Sequence, residues 1–285
     1  MTVRNRPISA PALTLDSRLP SMLPYLFHLP QFTVLGLTLG PFSLPSFGIM
    51  VLIGVLLSRW IFFKEFRRKG IDTELVDILV IAAIASGIVG GKLYFILFEL
   101  PPYLGWTEVV GNLFSGGGLT WHGGLLLAMV IFPILTRWYD APLLSVLDVL
   151  GIVASLGYAV GRVGCQLAGD GDYGIPTNLP WAMSYPNGIV PTGELVHPTP
   201  VYEALTGLTL FLVLWSIRKR FSTQGLMFSF YLVVAGLLRF LVEFIRINPI
   251  AYLEMTGAQL ISILMIILGI VGIIARNRLP SETQN

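Results

Sequence analysis

Charge is what this chain lacks. Of its 285 residues only 12% are Asp, Glu, Lys or Arg, against 54% hydrophobic, and the mean hydropathy is +0.77. Soluble domains carry roughly a quarter charged residues, so the composition argues against a water-soluble globule. Cysteine is scarcer still. Cys165 is the only one, which rules out an intrachain disulfide framework and a cysteine-based metal cluster. The 18 Lys and Arg and 16 Asp and Glu leave a net charge of +2, and the basic residues lie between apolar blocks instead of forming one patch. Nucleic acid is therefore not an expected partner. The opening MTVRNRPISAPALTLDSRLP has no continuous apolar run after its charges and so lacks the pattern of a cleavable signal peptide. No internal repeat is visible, which counts against a transporter built from inverted halves.

What the chain has is long apolar blocks. A transmembrane helix needs about 20 mostly apolar residues, and seven blocks approach that length: Leu44 to Phe63, Leu75 to Leu97, Leu119 to Trp138, Leu143 to Leu167, Thr199 to Ile217, Gly225 to Ile245 and Ala258 to Ala275. The expectation is an all-α polytopic membrane protein with seven transmembrane helices. Basic residues follow alternate blocks: Lys64, Arg67, Arg68 and Lys69 the first, Arg137 the third, Arg218, Lys219 and Arg220 the fifth, Arg276 and Arg278 the seventh. The loops from Glu99 to Gly118 and from Ala168 to Pro198 contain no Lys or Arg. By the positive-inside rule the N-terminus is then outside and the C-terminus cytoplasmic, with Arg4, Arg6 and Arg18 too far from the first span to count. Residues 1–43 read as a tail and outer-surface segment, 44–276 as the membrane domain with outer loops 98–118 and 168–198, and 277–285 as a cytoplasmic tail. The stretch from Pro30 to Pro45 reads as a hairpin or extended piece with Gly at its turn. The Pro-, Gly- and aromatic-rich loop after the fourth block reads as a small outer-surface cap.

Ionisable residues inside such blocks cost several kcal/mol and usually mark function. On the sixth block Arg239, Glu243 and Arg246 stand at i, i+4 and i+7, on one helix face, where the first two can pair and a third charge favours an anionic ligand. His122, in WHGGLLLAM, sits beside two glycines that admit a close neighbour, and neutral imidazole can accept a proton. Arg162 follows Gly157 and Gly161, a small-xxx-small packing face, and its planar fork of donors suits phosphate. The string GDGDYG matches G-x-G-x-x-G only by accident, because a membrane span precedes it and Asp170 and Asp172 would repel a pyrophosphate. It is also too short of ligands for a calcium loop. Prolines in VHPTPVYEAL suit the first turn of the fifth helix, whose end His197 and Glu203 are expected to cap and orient.

The strings GLTWHGGLL, GRVGC with a Gly- and Asp-rich turn, VHPTPVYE and RFLVEFIR occur in this order from about Phe47 to Gln259. Together they resemble the prolipoprotein diacylglyceryl transferases of bacterial inner membranes. The resemblance implies transfer of the diacylglyceryl group of phosphatidylglycerol to the lipobox cysteine thiol of a preprolipoprotein, forming a thioether and releasing glycerol phosphate. It maps the family histidine onto His122, the signature arginine onto Arg162, and a second arginine and glutamate onto Arg239 and Glu243. Two positions depart from the common pattern: Phe47 stands where Tyr is usual, and Cys165 where many members have Asn.

Under that resemblance His122, Arg239 and Glu243 are the expected catalytic group, and Arg162, Arg239 and Arg246 the expected phosphatidylglycerol site. Asp170, Asp172, Gly174, His197, Tyr202 and Glu203 are expected to shape the loop around it. Either His122 or the phosphate itself takes the thiol proton. No metal or cofactor is expected, since glycerol phosphate leaves readily once its charge is paired. The expected partners are phosphatidylglycerol, the preprolipoprotein signal peptide and the bilayer. Two other classes compete on the residues alone: a permease or channel for an anionic solute, with the arginines as its selectivity site, and a structural membrane scaffold.

Overall fold

The computed structural model describes residues 22–34, 37–101, 105–114, 118 and 120–278. The tail with Arg4, Arg6 and Arg18, Gly36 of the expected turn and the residues after Arg278 lie outside these. Seven helices among the described residues are long and apolar enough to cross a bilayer: Ser46–Lys69, Glu74–Glu99, Trp121–Trp138, Leu143–Ala168, Thr199–Ile217, Leu226–Ile245 and Gly257–Asn277. They match the seven apolar blocks, with ends shifted by a few residues where caps decide the boundary.

Those caps follow local chemistry. The first span stops at Gly70, whose positive φ of 70° and N–H to Phe66 O close the helix after Arg67, Arg68 and Lys69. Cations in a last turn offset the negative end of the helix dipole. The fifth span starts with Pro200 in its first turn. Thr256 and Gln259 form a reciprocal capping box at the start of the seventh.

The fourth span is the axis of the bundle. Just over half of it is buried, against 17–28% in the other six, which turn mostly apolar side chains outward. It packs against the first, fifth and sixth spans, while the seventh lies against the sixth. The second span is α-helical over Glu74–Ala85 and Gly91–Tyr94, with wider π turns at Ser86–Gly90 and Phe95–Glu99. Beside the first π turn the third span comes into backbone contact: a Cβ on Gly123 would lie 2.1 Å from Gly90 O. Small residues at such a crossing let helices associate where lipid supplies no hydrophobic drive.

The two ends of the bundle differ. At the basic end, buried Glu65 on the first span accepts from Arg218 Nε at 2.9 Å and Arg68 Nε at 2.7 Å, and Arg218 stacks on Trp215. Asp148 accepts from the N–H of Gly225 and Phe228, each at 2.9 Å, capping the sixth span. Removing one partner from a buried pair of this kind costs about 3–5 kcal/mol, so these contacts staple the spans together.

The opposite end carries the short strands. β1 (Tyr25–Leu29) pairs with β4 (Phe42–Pro45), and β2 (Phe32–Val34) pairs with β3 (Leu37–Leu39), all antiparallel, so the described residues of the stretch from Pro30 to Pro45 are largely extended, as its sequence suggests. Leu23 N–H donates to Leu167 O at 3.0 Å, fixing this piece to the end of the fourth span. β5 (Met183–Tyr185) and β6 (Thr192–Val196) make a hairpin in the loop after that span. Met22, Tyr185 and Val196 are buried together there as a small second core. The loop before the third span holds a helix, Trp106–Phe114, that sequence reading passes over. Its nine residues are too few to stand out against the spans on either side.

Candidate functional site

Three arginines and three carboxylates meet at the strand-bearing end. The fourth span supplies Tyr158 and Arg162, one turn apart on one face. The fifth supplies Glu203, the sixth Arg239 and Glu243, and the loops Asp172 and Arg246.

Glu203 is the hub. It is buried, and its carboxylate lies 3.0 Å from Arg246 Nη1, 3.3 Å from Arg162 Nε and 3.9 Å from Arg239 Nη1. The Tyr158 hydroxyl donates to its Oε1 at 2.5 Å. Asp172 bridges Arg162 and Arg246, the latter at 2.5 Å, and its backbone carbonyl accepts from Arg246 Nη1 at 3.1 Å and from the Thr199 hydroxyl. Glu243 pairs with Arg239, while its other oxygen accepts from Asn248 Nδ2 and Thr256 Oγ1, each at 2.7 Å.

The charges balance, three against three, but they are not equally placed. Glu203 and Glu243 are at the bottom, 2% and 0% exposed, whereas Arg162 and Arg239 retain 16% and 22%. Arg239 bonds protein through Nη1 alone among the described residues, leaving Nε and Nη2 uncommitted. Buried carboxylates thus hold two partly exposed guanidinium forks, and that of Arg239 keeps N–H groups to spare, an arrangement suited to a tetrahedral anion.

Outside the spans, burial works against the Asp172 carboxylate, but the guanidinium groups of Arg162 and Arg246 outweigh it and hold the carboxyl below its usual range. Asp170 is the reverse case: burial, then the charge of Asp172, pushes its carboxyl up. Cys165 Sγ, Asp170 and Asp172 bring ligand-type atoms within 4.8 Å of one another. A divalent cation there would face the two arginines that already hold Asp172, so this donor set does not fit a metal.

Several residues take places other than those their spacing suggests. The sixth helix ends at Val242 with a tighter turn over Glu243–Ile245, so Arg246 lies beyond it in extended backbone. It does not share a helix face with Arg239; it returns to the cluster through Glu203 and Asp172. Glu203 is no mere cap, and Tyr158 is not singled out by the sequence reading at all. Both carry a legible signal: an acid one turn inside an apolar helix, and a tyrosine four residues before an intramembrane arginine. Gly157 packs with its Cα face toward Ser58, but Gly161 has open space where a side chain would be, so the expected two-glycine packing face is only half used.

Gly174 lets the cap reach the cluster, because a Cβ there would lie 2.2 Å from Ile245 O. Its N–H donates to His197 O at 2.8 Å, and Ile175 N–H to Ile245 O at 2.9 Å. His197 Nδ1 lies 3.3 Å from the Tyr202 hydroxyl, which accepts from Trp181 Nε1 at 2.7 Å, so this pair organises the cap and, among the described residues, makes no hydrogen bond to the arginines. His122 is at the same end but exposed, in ring contact with Tyr94 and Trp121 and without a hydrogen bond to the cluster among the described residues.

The sequence model of the family described as prolipoprotein diacylglyceryl transferase matches residues 35–275. Similar proteins include a phosphatidylglycerol–prolipoprotein diacylglyceryl transferase of Mannheimia succiniciproducens, 33% identical over 90% of this chain and 97% of the relative. One of Finegoldia magna is 31% identical over 79% of this chain and 88% of its own length, and one of Prochlorococcus marinus 30% identical over 86% and 92%. These matches set aside the permease and scaffold readings. With seven apolar helices, a buried arginine–carboxylate cluster at one end and a family match over most of its length, the chain belongs to the prolipoprotein diacylglyceryl transferase family and is a multi-pass membrane transferase.

Proposed function

We propose that this transferase works at the arginine cluster, moving the diacylglyceryl group of phosphatidylglycerol to the thiol of a lipobox cysteine in a preprolipoprotein. The observation that carries this reading is Arg239: one Nη is tied to Glu243, while Nε and Nη2 remain uncommitted, close to Arg162 at the same end of the bundle. A phosphodiester on these two arginines accepts charge-assisted bonds from both. The lipid chains then stay in the bilayer, with the glyceryl carbon presented at its surface.

The chemistry follows from the thioether product. The peptide thiol loses its proton, and its sulfur forms a bond to the glyceryl carbon next to the phosphate ester oxygen. The bond between that carbon and oxygen breaks, its electrons pass to the oxygen, and glycerol phosphate departs. The charge gained by the phosphate is met by Arg162 and Arg239, which stabilises the transition state more than the bound lipid. His122 takes the thiol proton in this scheme. His122 is exposed, so an incoming peptide can reach it.

The basic residues at the ends of the first, third, fifth and seventh spans support an orientation with that end on the cytoplasmic side of a bacterial inner membrane. The N-terminus and the cluster then lie outside, where a translocated lipobox arrives. The test is direct. Purified protein in vesicles containing phosphatidylglycerol is given a lipobox peptide, and the peptide is weighed by mass spectrometry. The diacylglyceryl mass is expected with the native protein and absent with Arg239→Ala, although that variant still inserts. An adduct formed at near-native rate by Arg239→Ala refutes the phosphate role of the cluster.

A further inference from the structure

Between the sixth and seventh spans the chain makes a hairpin that the proposed reaction leaves unused. β7 (Ile250–Tyr252) and β8 (Met255–Thr256) pair antiparallel, with Ile250 opposite Thr256 and Tyr252 opposite Met255. The two residues at the tip, Leu253 and Glu254, have φ of 51° and 57°. Hairpin turns that need two positive φ values normally use Asn-Gly or Asp-Gly, and a bulky side chain in this region is an outlier. Such conformations persist where something else fixes them, and they gather at functional elements.

The hairpin also displays apolar surface. Ile247, Ile250, Tyr252 and Leu253 are each at least 60% exposed. Only four residues separate Ile245, the last of the sixth span, from Ile250, and Gly257 opens the seventh directly after β8, so the hairpin lies at the membrane surface. Tyr belongs to the residue types that favour the headgroup level, and Glu254 beside Leu253 prevents deeper entry. What covers these side chains is therefore the lipid interface.

Its base is tied to the cluster. Asn248, before β7, and Thr256, at the end of β8, both donate to Glu243 Oε1 at 2.7 Å, while the other oxygen of Glu243 holds Arg239. We infer that the hairpin is an interfacial anchor: Ile250, Tyr252 and Leu253 rest among the lipid headgroups, and Asn248 and Thr256 transmit that fixed depth to Glu243 and hence to Arg239. Asn248 and Thr256 are in this view positioning residues. This second half rests on Arg239 being the phosphate ligand; the first half does not.

The experiment uses full-length protein in phosphatidylethanolamine and phosphatidylglycerol vesicles with a nitroxide on Leu253→Cys, Cys165 being buried. The label is expected to collide more often with oxygen than with a water-soluble nickel chelate. Collision dominated by nickel overturns the anchor, and protection that appears only when a lipobox peptide is added assigns the hairpin to peptide docking instead. Transfer assays in the same vesicles read the coupling. Asn248→Ala and Thr256→Val are each expected to lose roughly tenfold in kcat/KM, the size of one hydrogen bond to a charged group. Thr256→Ser keeps both the hydroxyl and the helix cap, so it is expected to retain the native rate. If Thr256→Ser falls as far as Thr256→Val, or if Asn248→Ala keeps full activity with native thermal stability, the coupling is wrong. An active Arg239→Ala, by contrast, removes the reading of the site and leaves the depth result standing.

Discussion

Arg246 Nη1 lies 3.0 Å from Glu203 Oε2, which joins a residue just beyond the sixth span to the first turns of the fifth. Both side chains are buried, and Glu203 shares its carboxylate with Arg162 and with the Tyr158 hydroxyl. Three elements distant in sequence are thus held by one carboxylate. The consequences of removing it are large.

Glu203→Gln is expected to leave Arg162, Arg239 and Arg246 with only Asp172 and Glu243 as counterions. Loss of one member of a buried charged network costs about 3–5 kcal/mol. The thermal midpoint in detergent should fall sharply and transfer should be lost with it. A native midpoint for this variant would show that the cluster is not held by Glu203.

His122 makes no hydrogen bond to the arginines, so its role can be tested apart from theirs. General bases contribute typically 10²–10⁴-fold. His122→Gln is therefore expected to lower kcat by at least about 100-fold while binding of phosphatidylglycerol to the arginines persists. If most of the rate survives, the proton goes to the phosphate and His122 only hydrogen-bonds the peptide.

Cys165 Sγ lies 3.9 Å from Arg162 Nη1. Because the acceptor thiol belongs to the substrate, Cys165→Ser is expected to keep transfer within about threefold, since the serine hydroxyl can accept from Arg162 Nη1 where the thiol sits now. A dead but folded Cys165→Ser would assign the thiol a part in the reaction.

Asp170 gives a pH signature. Burial and then the charge of Asp172 raise its carboxyl in the folded protein, so the folded state binds this proton more tightly than the unfolded one. Its contribution to stability is complete below the unfolded aspartate value near about 4 and is lost as pH rises through the folded value. Asp170→Asn should therefore be more stable than the native protein at pH 7, with the difference vanishing near pH 4. Melting curves at the two pH values check this, and an equal gap at both would refute it.

Much of the architecture was legible because it follows from local chemistry. Seven apolar blocks must become seven helices in lipid, where every backbone N–H and C=O has to be satisfied within its own segment. Arg162, Arg239 and Glu243 were legible for the same reason, since a charge in such a block is too costly to be idle. The amphipathic helix Trp106–Phe114 was not, being short and flanked by Pro and Gly. Nor was the tighter turn over Glu243–Ile245, which takes Arg246 off the face of Arg239 and brings Asn248 and Thr256 to Glu243.

Membrane residence, seven crossings, the resemblance to a family and the kinds of charged residue at depth all follow from composition and order along the chain. The packing of the spans chose the partners of those charges. It made Glu203 the centre of the cluster, brought Tyr158 to it, returned Arg246 from outside the helix and left His122 apart. The physical reason is that composition and periodicity report the free energy of a segment in its solvent, whereas an ion pair across spans depends on how those spans cross.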